Sequence, residues 1–180
     1  MEYFPLGDLR AYLSTPLPDE ESKVVIYQPL EGLRFVHENH FAHQDLKPGN
    51  VLLVHAGPNW WVKIGDFGIS KRIEFSSAQT RVGTEVYLAP EVKGLYTVDS
   101  EEEEEKTFSL AVDIWSIGAI TYRLIHGRDA FAEQRSLFGY VIKSSPFPFH
   151  TALAPELADF IERTMAASPL VLTGFLKRMI

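Results

Sequence analysis

His43-Gln44-Asp45-Leu46-Lys47-Pro48-Gly49-Asn50, followed sixteen residues after the asparagine by Asp66-Phe67-Gly68, constrains this chain more than any other feature. The segment offers two acids, an amide and an amine at fixed spacing. An aspartate can accept the proton of an alcohol, and a lysine two residues on can neutralise charge on a moving phosphoryl group. An asparagine and a second aspartate can supply hard oxygen ligands to magnesium, which keeps several waters and takes few protein ligands. The chain between them predicts how they meet. Val51 to Val54 and Trp61 to Ile64 read as two short strands around the turn Ala56-Gly57-Pro58-Asn59. Asn50 then falls just before one strand and Asp66 just after the other, so both can face one metal.

With these residues in place, the chain resembles the eukaryotic protein kinases, whose catalytic loop reads H-R-D-x-x-x-x-N and whose metal motif reads D-F-G. Further stretches follow in the family's order. Gly83-Thr84-Glu85-Val86-Tyr87-Leu88-Ala89-Pro90-Glu91 is similar to the stretch that closes a kinase activation segment. Asp113-Ile114-Trp115-Ser116-Ile117-Gly118 is similar to the start of the family's long buried helix. Upstream, Met1-Glu2-Tyr3-Phe4-Pro5-Leu6-Gly7-Asp8-Leu9 resembles the hinge that receives adenine. The Asp-Leu-Lys-Pro form of the loop is that of serine/threonine kinases. The resemblance runs from residue 1 to about residue 169.

The resemblance implies transfer of the ATP γ-phosphoryl group to serine or threonine hydroxyls of a protein substrate, with ATP and Mg2+ as cofactors. Asp45 is expected to orient the hydroxyl and accept its proton, and Lys47 to contact the transferring phosphoryl group. Asn50 and Asp66 are expected to hold magnesium, and Thr84 to bridge the catalytic aspartate and lysine. The Glu2 carbonyl and Phe4 amide are expected at the adenine edge, with Asp8 at the ribose and Leu52 under the ring. His43 and Phe67 are expected to pack, and Asp113 to bond the catalytic-loop backbone. Thr80 stands where an upstream kinase would act; Ser76 and Ser77 are weaker candidates. The plainer readings are a turn aspartate at position 45 and a solvated lysine at position 47. His37, His40 and His43 recur every third residue, a spacing that suggests a metal site. That interval crosses from a helix end into the loop, so zinc is set aside.

Composition narrows the setting. The 180 residues are 46% hydrophobic, enough for the core of one domain. A net charge of -7 argues against general nucleic-acid or anionic-membrane binding. With no cysteine, a disulfide framework and a thiolate metal site are both excluded. Leu110 to Ile125 is interrupted by Asp113 and Arg123 and is too short to span a bilayer. No signal peptide is evident at the start, so an intracellular protein, cytoplasmic or nuclear, is expected.

Along the chain, Leu9 to Leu13 reads as a short helix stopped by Pro16 and Pro18. Asp19 or Ser22 would cap the next helix, which runs to about Glu38 with Val25, Leu30, Leu33, Phe35 and Val36 as its apolar positions. Pro29 inside it should kink it or remove a hydrogen bond. Residues 99–106, with the acidic run Glu101 to Glu105, read as a disordered insertion; a docking site for a basic partner is the sharper alternative. Phe108 to His126 reads as a buried helix stopped at Gly127, and Pro155 to Met165 as another helix.

The expected fold is α+β and protein-kinase-like: a mainly α-helical C-lobe with a small β-hairpin, filling residues 1–180 as a partial kinase domain. Three departures qualify the function. The sequence has no Gly-rich loop and no strand lysine with its helix glutamate, so the N-lobe is expected to be absent and the chain truncated or mis-spliced. Such a chain should bind ATP poorly, turn over slowly if at all, and leave Phe4, Leu52 and Phe67 uncovered. Gln44 replaces the arginine that commonly grips an activation-loop phosphate, which weakens the case for control through Thr80. Leu172 stands where the family carries an arginine that pairs with the glutamate of Ala-Pro-Glu, so Glu91 should lack its usual partner, and Arg178 and Lys177 are the candidate substitutes. The competing class is a non-catalytic, kinase-derived interaction module.

Overall fold

The computed structural model describes residues 2–39, 41–67, 85–95, 102–149 and 153–168. Thr84, Thr80, Ser76, Ser77, Gly68 and Leu172 lie outside the described residues. The elements are helices α1 (Asp19–Glu38), α2 (Glu102–His126), α3 (Gln134–Lys143) and α4 (Pro155–Thr164), and strands β1 (Val51–His55) and β2 (Trp61–Ile64). Short 3-10 turns cover Leu9–Tyr12, Pro48–Asn50 and Glu85–Tyr87.

Helix α2 is the centre of the packing. Its residues from Ala111 to Tyr122 are buried apart from the half-buried Val112, and α1 and α4 pack against it. It starts at Glu102, earlier than the apolar pattern predicted, because glutamate is a good helix former and acidic groups favour a helix N-terminus. The part of the expected disordered stretch from Glu102 to Lys106 is therefore helical. Gly127, at φ 66°, stops the helix, and its N–H closes on the Arg123 carbonyl at 2.9 Å.

Helix α1 buries Val25, Ile26, Pro29, Leu33 and His37, a stripe at helical spacing. Phe35, expected on that face, is 69% exposed. Neither Asp19 nor Ser22 caps the helix. Pro18 holds the N-cap position, Asp19 opens the first turn, and Ser22 is buried inside. Pro29 lies within the helix, where its ring supplies buried apolar surface at a position that donates no hydrogen bond.

The strands pair antiparallel, with Val51 opposite Ile64, Leu52 opposite Lys63 and Leu53 opposite Val62. The hairpin is tied to α1 by Gln28, whose amide donates to the Trp60 carbonyl at 3.0 Å and accepts the Val62 N–H at 2.9 Å. Trp60 Nε1 also donates to the Glu21 carboxylate at 2.6 Å. Helix α3 gave no clear sequence signal. It has only Leu137 fully buried and ends on Ser144 in the left-handed region. Phe131 stacks on Tyr140 at 5.2 Å and meets Phe147 at 5.6 Å, which packs the α2–α3 connection and the segment after α3 under α2.

Candidate functional site

The loop between α1 and β1 has no regular structure before the turn at Pro48–Asn50, so the shape of its first part must come from outside. Asp113, fully buried on α2, supplies it. One carboxylate oxygen accepts the His43 N–H at 2.8 Å and the other the Gln44 N–H at 2.7 Å. His37, from the last turn of α1, adds its Nε2 at 2.8 Å. A buried carboxylate is tolerable only when its lone pairs are met in this way. The bonds to the loop are made by backbone, so glutamine at position 44 leaves them intact. Gln44 itself sits at φ 65°, a left-handed conformation that needs such bracing.

Beyond the brace, three of the four central residues, Asp45, Lys47 and Asn50, converge. Lys47 Nζ lies 2.6 Å from Asp45 Oδ2. The buried Asn50 donates through Nδ2 to the Asp45 carbonyl at 2.7 Å and approaches Asp45 Oδ2 at 3.3 Å. This spends the nitrogen of Asn50 and leaves its side-chain oxygen without a donor among the described residues. The Gly65 N–H donates to the Asn50 carbonyl at 2.8 Å, closing the open end of the hairpin and setting Asp66 beside Asn50 in the chain path. Asp66 is exposed, stands at φ 59°, and its carboxylate pairs with no described residue. Aspartate is among the few non-glycine residues that adopt the left-handed region readily, so this conformation is reached without severe strain.

His43 links loop and hairpin, with Nε2 at 2.9 Å from the Gly65 carbonyl and its ring 5.0 Å from that of Phe67. His37 and His43 are thus engaged within the protein, and His40 lies outside the described residues. No cluster of three metal-ligating acids, histidines or cysteines occurs among the described residues. The side-chain oxygens of the buried Asn50 and the exposed Asp66 are of the type that fits magnesium, which binds through one or two side chains.

The segment 2–8 runs along the hairpin. Gly7 accepts the Leu53 N–H at 3.0 Å, and Asp8 bridges to Leu52. The Glu2 carbonyl and the Phe4 N–H make no hydrogen bond to described residues, so both are available to a ligand. Leu52 is half-buried and lies across Gly65; a Cβ on Gly65 would come within 2.5 Å of Leu52 Cδ1. Phe67 is 42% exposed.

Asp8 has more attachments than the sequence suggested. It accepts the Arg10 N–H at 3.0 Å and a fork from the Arg10 side chain at 2.8 Å, which holds its carboxyl below the usual range. Lys63 was missed altogether. From its place opposite Leu52 it pairs with the Glu2 carboxylate at 3.0 Å and lies 5.7 Å from the Phe4 and Trp61 rings. Pairing the two expected strands residue by residue would have placed it opposite Leu52.

Comparison with known proteins bears on the family and the fold. A family model described as protein kinase domain matches residues 1–170. Calcium/calmodulin-dependent protein kinase type 1 of Caenorhabditis briggsae is 33% identical over 156 residues, covering 84% of this chain and 41% of that protein. Serine/threonine-protein kinase PLK1 of Xenopus laevis is 32% identical over 154 residues, covering 84% of this chain and 24% of that protein. The solved structure of Rad53 1-466 in complex with AMP-PNP superposes with a TM-score of 0.71 at 26% identity, covering 95% of this chain and 42% of the other. The chain spans less than half the length of each of these proteins.

Proposed function

This chain belongs to the eukaryotic protein kinase family, of serine/threonine type, and from that premise we propose that it carries the phosphoryl-transfer site of an ATP- and Mg2+-dependent protein kinase. The observation that carries the reading is the convergence of Asp45, Lys47 and Asn50 within hydrogen-bonding distance, beside an Asp66 carboxylate left uncommitted.

Magnesium, when bound, would supply the positive charge that offsets the phosphate groups. The Asn50 side-chain oxygen and the Asp66 carboxylate are the groups that would hold it. Asp45 would orient a serine or threonine hydroxyl of a protein substrate and take its proton. Lys47, already 2.6 Å from Asp45, balances the aspartate's charge and can turn to the transferring phosphoryl group. The Glu2 carbonyl and Phe4 N–H would receive adenine over Leu52, with Lys63 pinning that segment through Glu2. Asp8 can meet a ribose only by sharing or leaving Arg10. Thr84 and an upstream kinase acting on Thr80 complete the proposal from sequence.

The 180 residues contain neither a Gly-rich loop nor a counterpart of the family's lysine that pairs with a helix glutamate, so nucleotide held by this chain alone rests on the groups just named, and its affinity is low. Transfer of label from γ-phosphate-labelled ATP to a mixed serine/threonine peptide pool tests the reading. Asp45→Asn should lower transfer by ~10²- to 10⁴-fold, the usual contribution of a positioned base. Magnesium-dependent nucleotide binding with transfer unaffected by Asp45→Asn would favour a non-catalytic binding module instead.

A further inference from the structure

Segment 85–95 docks on α2. Tyr87 and Ala89 are buried in the main core, and Ser116 Oγ on α2 reaches the Tyr87 carbonyl at 2.9 Å. The segment then closes on itself, with Gly94 N–H to the Glu91 carbonyl at 3.1 Å and Leu95 N–H to the Pro90 carbonyl at 2.9 Å. In the middle of this docked turn both carboxylate oxygens of Glu91 are buried, and neither meets a hydrogen-bond partner on another of the described residues.

We propose that Glu91 is kept as the neutral carboxylic acid in the folded chain and acts as a proton-responsive latch, its ionisation loosening segment 85–95 from α2. A buried carboxylate without a counter-charge is far more costly than a buried neutral acid. No charged side chain among the described residues relieves it, and Lys177 and Arg178 lie outside those residues. Glu85 and Lys93 lie on the same segment, while Arg123 on α2 and Asp129 in the following loop pair with each other at 3.4 Å and act on the Tyr87 phenol. Among the described residues no charged side chain is a cause of the shift at Glu91. Burial pushes its carboxyl up to about 7, with only its own backbone N–H working the other way. The latch stands whether or not the chain transfers phosphoryl groups.

The direction follows from the raised value. The folded chain binds the proton more tightly than the unfolded chain, so stability from this group is complete below the ordinary 4.5. It is lost as pH rises through about 7. The interval corresponds to roughly a 300-fold change in the folding equilibrium.

Carbon NMR of the 180-residue chain with labelled glutamate side chains tests the proposal directly. One glutamate should titrate near 7 and be missing from the spectrum of Glu91→Gln. Hydrogen exchange, corrected for intrinsic rate, should show residues 85–95 opening more at about pH 8 than at about pH 6. In Glu91→Gln that difference should vanish. Every glutamate titrating in the ordinary carboxylate range would overturn the proposal, and so would an opening that persists unchanged in Glu91→Gln. If the variant fails to fold, the wild-type titration alone decides.

Discussion

Asp113 on α2 holds the backbone N–H of His43 at 2.8 Å, across 70 positions of sequence. Through this bond and its companion to Gln44 at 2.7 Å, the most buried helix dictates the shape of the loop that carries Asp45, Lys47 and Asn50. Stability and site geometry are therefore coupled at one carboxylate.

Replacing Asp113 with alanine leaves two backbone donors and His37 without an acceptor in a dry environment. Stability should fall by about 3 kcal/mol or more, as for other broken buried charge networks. Urea unfolding of the two proteins measures it. A loss below about 1 kcal/mol would mean that water replaces the carboxylate and that the loop does not depend on it.

Gln28 is the corresponding clamp between α1 and the hairpin. Gln28→Leu keeps the bulk but strands the Val62 N–H and the Trp60 carbonyl, so it should cost about 1–3 kcal/mol. Hydrogen exchange at Val62 should accelerate in the same variant. Unchanged protection there would show that the strand pairing, and not the clamp, holds that amide.

What was legible in the sequence is what lies on short, contiguous motifs. The loop residues, the hairpin strands and the Asp113 contact all follow from local spacing plus the family's pattern, and the structure puts them together. The Glu102 helix start was missed because a charge run has the composition of disorder, while helix propensity and the terminal dipole act in the opposite sense. Helix α3 was missed because one buried leucine makes no periodicity to read. The α1 cap was misassigned because an N-cap side chain is optional where proline already sets the entry. Asp8 was assigned without Arg10, and Lys63 was not assigned at all, because each depends on a neighbour whose direction only the folded hairpin sets.

If Asn50 and Asp66 form one magnesium–nucleotide site on this chain, paramagnetic Mn2+ added with ATP will report it. Manganese takes the same hard oxygen ligands as magnesium, and its electron spin broadens nearby NMR signals even when binding is weak. The account predicts broadening centred on Asn50 and Asp66, present with Mn2+ and ATP together and abolished in Asp66→Ala. Broadening that is absent, spread over the acidic surface, or unchanged in Asp66→Ala would contradict it.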